Sequence, residues 1–235
     1  MTAASTTARA LAREQLTAAI LREARDQLAT VGPAQLSVRA VAREVGMVSS
    51  AVYRYFPSRD ELLTELLVIC YTELGELVTA AEATVERSDF EGRWLALAHT
   101  MRDWSRAHPY DFGLLYGSPV PGYAAPQRTI EPAVRVPLLV FALLTDQHRA
   151  GIEPVALRGD PPELHPTLAG LREAAGADLP DELVLLGLQA WAGLLGSLTL
   201  ELFGHLVNAV EDHDVYFAAA ARRLAPVVRS AAAPH

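Results

Sequence analysis

Lysine is absent from this chain of 235 residues, and all twenty of its basic side chains are arginines. The only cysteine is Cys70, which excludes an intramolecular disulfide and a zinc cluster held by thiolates, and fits a reducing compartment. Aromatic residues make up only 7%, but hydrophobic residues are 51% and charged ones 20%, which excludes disorder over most of the length. Strand-like alternation is missing, and β-branched clusters between turn signals are few, which leaves an all-α chain. Positive charge is in short supply too, with 20 basic against 28 acidic residues and a net charge of −8. That balance argues against wholesale coating of nucleic acid and against adhesion to anionic membranes.

The N-terminus lacks the apolar stretch of a signal peptide, so we expect a cytoplasmic protein with a disordered tail over residues 1–8. The uncharged run from Leu183 to Leu200 invites a membrane reading, but Gln189, Ser197, Thr199 and three glycines interrupt it, and its flanks are acidic. It reads as the buried spine of a soluble protein with no membrane partner. Charge is unevenly spread. Residues 1–60 carry eight arginines and five acidic residues, and the remaining 175 carry twelve arginines and 23 acidic residues. Only the basic head is suited to meet a polyanion.

Apolar spacing predicts helices over about 9–30, 37–46, 48–55, 58–86, 89–107, 127–150, 163–175, 181–209 and 211–230. Ser37 is a plausible N-cap of the second helix, and Ser58 with Glu61 matches a capping box at the start of the fourth. Residues 108–126 mix turn formers with aromatics and break the pattern, and the Gly/Pro-rich residues 151–162 read as a disordered loop.

The first three helices carry the sharpest signal. A helix-turn-helix needs a small residue where its two helices touch, a glycine at the turn and an apolar inner face. Ala42, Gly46 and the set Val41, Val45, Met47 and Val52 fill those roles. The outer face of the third helix then presents Ser49, Ser50, Tyr53 and Arg54, groups suited to base edges and phosphates. Ser37, at a helix N-terminus, adds backbone N–H groups suited to a phosphate.

The run Leu36 to Leu63 resembles the DNA-binding domain of the tetracycline-repressor (TetR) family. The marks are Ala42 and Gly46, Val52-Tyr53-Arg54-Tyr55-Phe56, and Ser58-Arg59-Asp60-Glu61-Leu62-Leu63. The resemblance implies a homodimer whose recognition helices enter successive major grooves of a pseudo-palindromic operator. It implies that Ser37 and Arg39 contact backbone or a groove edge, and that Val48, Ser49 and Ser50 lie near bases. Tyr53 would bind phosphate, Tyr55 backbone or base, and Arg59 a phosphate beside the fourth helix. Family members often have lysine at that last position; arginine keeps the charge and adds a bidentate fork. Arg54 is either a DNA contact or a solvated charge. The region from Ala190 to Leu206 also looks like one family subgroup with a Trp-x-x-x-His-Gly motif, but Leu195 stands where the histidine would be.

We therefore expect a helix-turn-helix domain over 1–60 and a helical ligand-binding and dimerisation domain over 61–235. Gly193 and Gly196 permit close helix approach, and Trp191, Leu194, Leu198 and Leu202 with Phe217, Ala218, Ala221 and Leu224 form apolar stripes suited to a dimeric four-helix bundle. A pocket for a largely apolar effector would draw on Trp94, Met101, Trp104, His108, Tyr110, Phe112, Tyr116, Tyr123 and Phe141, with His99, Arg102, Arg128 and Arg135 as polar anchors. Effector binding would move the fourth helix, stiffened by Leu62, Leu63, Leu66 and Leu67.

No phosphate-cradling glycine loop, nucleophile elbow or His-Glu-x-x-His stretch occurs, so neither catalysis nor a cofactor is expected. His99 with Asp103, and Asp212-His213-Asp214, have metal-like spacing but read as helix surface. The leading function is a ligand-responsive DNA-binding regulator, most often a repressor. The alternative is a helical carrier or interaction module that keeps the scaffold without using it. The two differ in the charge around Ser37, Arg39, Tyr53 and Arg59, where Glu44 is the only acid within the motif.

Overall fold

Helix α1 (Thr2–Val31) places Ile20, Ala24 and Leu28 on one stripe, and this stripe seeds the core of the N-terminal region. A 3-10 turn (Pro33–Gln35) leads to α2 (Val38–Glu44) and α3 (Ser49–Val52). The long α4 (Arg59–Ala83), α5 (Phe90–Ala107), α6 (Pro109–Tyr116) and α7 (Ile130–Arg149) follow. Two short helices, α8 (Leu164–Thr167) and α9 (Ala169–Ala175), precede the closing pair α10 (Asp181–Leu202) and α11 (His213–Leu224). The computed structural model describes residues 2–152, 164–175 and 179–226, and no strand forms among them. Most of the expected loop 151–162, and the expected end of the last helix beyond 226, lie outside the described residues.

Three departures from the expected helices have local causes. First, α1 begins at Thr2, within the segment expected to be a disordered tail; Thr2 to Ala8 contains no glycine or proline to stop a helix. Second, the 108–126 stretch contains α6. Pro109 occupies the first helical position, where its missing N–H costs nothing, and Phe112 and Leu115 are buried. Third, α10 ends at Leu202 rather than near 209, because Gly204 takes φ +77° and closes the helix. There the Gly204 N–H donates to the Glu201 carbonyl at 3.2 Å and the His205 N–H to that of Leu200 at 2.9 Å, a paired C-terminal cap.

The helices divide between two packed units, Met1–Thr72 with His108–Ala133 and Glu73–Ala107 with Val134–His235. In the first, α1, α2, α3 and the start of α4 share a core of Ile20, Leu28, Val41, Val52, Phe56 and Leu62. Arg25 ties α1 to α6 through Asp111, at 2.7 Å. Tyr123 and Thr64 share a hydroxyl hydrogen bond of 2.8 Å, and Tyr71 donates to the Leu115 carbonyl at 3.0 Å.

In the second unit, α5 packs on α10 and α11. Trp94 is buried and its Nε1 donates to the Ala221 carbonyl at 2.8 Å. The buried Arg102 guanidinium forks onto Glu201 at 2.8 and 2.9 Å, lies 2.8 Å from Asp214, and stands 4.8 Å above the Phe217 ring. Burial opposes the charge on Arg102, but Glu201 and Asp214 outweigh it and raise its pKa, while the bonds to Arg102 lower that of Asp214. A second buried arginine, Arg93, joins Glu82 and Asp146, to which the more exposed Arg87 also binds. By length and composition α10 is apolar enough to cross a membrane, but Leu183, Val184, Ala190, Leu194 and Leu198 are buried within this unit.

Candidate DNA-binding interface

The geometry of the helix-turn-helix is set by its caps. The Ser37 hydroxyl accepts from the Ala40 N–H at 3.4 Å, and the Ser37 N–H donates to Gln27 Oε1 at 3.4 Å, which anchors the start of α2 to α1. At its other end Gly46 takes φ +68°. The Gly46 N–H donates to the Arg43 carbonyl at 3.1 Å and the Met47 N–H to that of Ala42 at 2.8 Å. A Cβ at Gly46 would meet no heavy atom within 4 Å, so the left-handed backbone rather than crowding demands glycine. Ala42 and Val52 are buried where α2 and α3 meet.

This frame turns Val48, Ser50, Tyr53 and Arg54 outward as exposed side chains, with Ser49 half-buried and Arg39 exposed on α2. Regular helix spans only Ser49–Val52, shorter than expected, because the residue before Pro57 is driven out of the helical region. The Tyr53 N–H still donates to the Ser49 carbonyl at 3.0 Å and that of Tyr55 to Val52 at 2.8 Å, which keeps Tyr53 and Arg54 on the exposed side. Glu44 pairs with Arg43 at 3.1 Å, and both are exposed. No acid covers Tyr53 or Arg54 in any ion pair among the described residues.

Two of the expected contact residues are also structural. Tyr55 is half-buried against the core, with the Arg13 guanidinium 5.1 Å above its ring. Arg59 directs its fork at the turn between α1 and α2, donating to the carbonyls of Leu36 at 3.2 Å, Pro33 at 2.8 Å and Ala34 at 3.0 Å. Its guanidinium fastens the first residue of α4 to the loop that enters α2, a job for which a lysine has too few fixed donors. Sequence reasoning passed over Gln27, Arg13 and the Arg25–Asp111 pair, whose partners stand too far along the chain to be read from spacing.

The ten expected effector contacts fall five to each unit. Trp94, Met101, Trp104 and Phe141 are buried in the second, and His99 there stands edge-on to Phe217 at 5.5 Å. In the first unit the polar tips are engaged: Tyr123 with Thr64, Arg128 with Glu61 at 2.7 Å and Glu65 at 2.9 Å, and His108 within 3.6 Å of Asp111. Tyr110 is exposed, and Tyr116 is packed edge-on to Tyr71 at 5.9 Å. Among the suggested polar anchors, Arg102 is spent on Glu201 and Asp214, and Arg135 reaches Glu76 at 4.0 Å. Gln147, which the sequence did not single out, is fully buried with neither amide atom hydrogen-bonded. The metal-like Asp212-His213-Asp214 run resolves into a cap: the Asp212 carboxylate accepts from the N–H groups of Asp214 and Val215, both at 2.9 Å.

The expected dimerisation stripe needs correction. Leu194, Leu198, Phe217 and Ala221 are buried within the chain itself, and Trp191 and Leu202 are half-buried. A Cβ on Gly193 would come within 2.4 Å of Leu224, so the close approach at that glycine is between α10 and α11 of the same chain. The apolar spacing was read correctly, but this face supplies intrachain core. What remains outward is the next face of α10, Ala192, Gly196, Leu200 and Phe203, continued by Val207 and Val215. The four large residues among them are 41%, 47%, 62% and 67% exposed, in chain order.

Comparison with known proteins agrees with this architecture. Residues 20–66 match the family model of bacterial regulatory proteins of the tetR family, and residues 94–224 that of the tetracyclin repressor-like C-terminal domain. The HTH-type transcriptional regulator Rv1816 of Mycobacterium tuberculosis is 40% identical over 223 residues, covering 92% of this chain and 94% of that protein. The HTH-type transcriptional repressor Rv3405c of the same organism is 37% identical over 89 residues, covering 37% of this chain and 47% of that protein. The crystal structure of the regulatory protein SCO4313 matches with a TM-score of 0.74 at 32% identity, over 90% of this chain and 96% of that one. With its capped helix-turn-helix, its helical C-terminal region and a relative this similar along nearly the whole length, the chain belongs to the TetR family and is a DNA-binding transcriptional regulator, not an enzyme.

Proposed function

We propose that the protein is a repressor in the cytoplasm that binds a pseudo-palindromic operator as a homodimer and is released by a small, largely apolar effector. The observation that carries this reading is the outward face of Ser50, Tyr53 and Arg54, held out by buried Val52 and the Gly46 turn and flanked by exposed Arg39. On this reading Val48, Ser49 and Ser50 approach base edges, Tyr53 and Arg39 hold phosphates, and Arg59 acts through the position of α2. The repressor sense is supported by the name of the partial relative Rv3405c. A carrier with an idle scaffold has no use for exposed donors kept clear of acidic cover.

The second copy docks through the outward face of α10, with Ala192 and Gly196 letting the backbones approach and Leu200, Phe203 and Val207 supplying apolar area. The effector binds in the unit that buries Trp94, Met101, Trp104 and Phe141, where the Gln147 amide offers one donor and one acceptor. Effector and operator then weaken each other by about 1–3 kcal/mol of coupling, roughly 5- to 150-fold in affinity. Selection of bound duplexes from a random-sequence pool, followed by footprinting, tests the reading. Two half-sites about one helical turn apart are expected, and recovery of no enriched sequence contradicts it.

A further inference from the structure

From Ala8 to Leu16 every residue of α1 is exposed, and the first buried side chain of the helix is Ile20. An extension of this length with no tertiary packing is marginal in water on its own. Its helical phase fixes what it displays. At about 100° per residue, Arg13 lies roughly 20° to one side of Ile20 and Arg9 roughly 20° to the other. The stripe Ile20, Ala24 and Leu28, which packs on the helix-turn-helix core, is therefore continued outward by two arginines. Arg13 shows where that leads, for its guanidinium stands over Tyr55, just past α3. Arg9 lies one turn, roughly 6 Å, farther out.

The same phase argues against a protein partner. The exposed Leu11 and Leu16 point about 140° apart and form no common apolar face. Glu14, the only acid from Ala8 to Leu16, lies about 120° from the arginine stripe. A face carrying two arginines, contiguous with Tyr55 and the exposed Tyr53 and Arg54, is complementary to a polyanion.

We propose that the N-terminal half of α1 is a second DNA-binding element, which sets Arg9 and Arg13 on phosphates of duplex DNA beside the segment met by α3. Tyr55 positions Arg13 by cation–π contact with one face of the guanidinium, and the donors at its edge reach the phosphate. The proposal rests on the helix-turn-helix binding DNA as described above.

The test uses the full chain and a duplex of about four helical turns, enriched by the wild type from a random pool. Binding is followed by fluorescence anisotropy at graded salt for wild type, Tyr53→Ala, the Arg9→Ala/Arg13→Ala pair and the Arg9→Lys/Arg13→Lys pair. Each phosphate contact contributes about −0.9 to the log–log salt slope, so the alanine pair flattens it by about 2 per protomer and weakens binding on the order of tenfold or more. The lysine pair restores most of both. Thermal unfolding is unchanged, because neither arginine touches the core. An alanine pair with wild-type affinity and slope, alongside a Tyr53→Ala variant that fails to bind, overturns the proposal and leaves the helix-turn-helix reading intact. If the wild type itself binds no duplex, both fall.

Discussion

The Gly46 turn decides whether α2 and α3 meet at the right angle, and it does so through one backbone angle. With φ at +68° and open space around the Cα, Gly46→Ala costs about 1 kcal/mol in backbone strain without any clash. A fall of a few degrees in Tm with an unchanged effector response is the expected result; no fall contradicts the assignment. Arg59 is a stronger case. Removing its three bonds to the carbonyls of Pro33, Ala34 and Leu36 in Arg59→Ala destabilises by about 2 kcal/mol, measurable by urea unfolding without DNA present. Wild-type stability in that variant returns Arg59 to a role at phosphate alone. The opposite sign is expected at Gln147, where Gln147→Leu raises Tm by removing two buried polar atoms that lack partners. Gly46, Ala42 and the Ser37 cap were legible in the sequence because their chemistry is local, within three to five residues. Arg59 and Tyr123 were not, because their partners lie 23 to 26 and 59 residues away.

At the scale of the element, periodicity found nearly every helix but not which face meets which neighbour. In α10, Leu194 and Leu198 form the more regular stripe, and the core of their own unit takes it; the outer stripe of Gly196, Leu200 and Phe203 is less apolar and easier to overlook. The two faces give opposite results on mutation. Leu198→Ala opens a cavity and costs about 2–5 kcal/mol. Phe203→Glu leaves unfolding of the protomer nearly unchanged and shifts sedimentation from dimer to monomer. If Phe203→Glu remains dimeric, the second copy docks elsewhere. In the first unit, α4 and α6 meet through Tyr71 and Tyr116, and burial pushes both phenols above their ordinary value of 10.0. An unfolded chain ionises these tyrosines near that pH while the native one keeps its protons. Stability is therefore full below pH 10 and falls as pH rises through the raised values. Urea midpoints followed upward from pH 9 should decline, and less steeply in Tyr71→Phe/Tyr116→Phe; equal slopes in the two proteins would contradict the packing.

At the scale of the whole molecule, the uneven charge is what the sequence disclosed best and the effector site what it disclosed least. Eight arginines among the first sixty residues mark the end that meets DNA, whatever the fold in detail. A binding pocket leaves no comparable mark, since Trp94 and Phe141 are as apolar in a core as in a pocket. Sequence selects candidates there, and only packing removes those whose polar tips are already engaged, such as Tyr123 and Arg128. The central claim is that the face of Ser50, Tyr53 and Arg54 reads an operator. The measurement that tests it most directly is fluorescence anisotropy with the selected duplex and a scrambled one, in wild type and Tyr53→Ala, across a salt series. Selective binding by the wild type that weakens by about 0.9 log units per phosphate contact for each log unit of salt, and is lost in Tyr53→Ala, is the predicted result. Equal affinity for both duplexes, or a Tyr53→Ala variant that binds as the wild type does, would contradict the account.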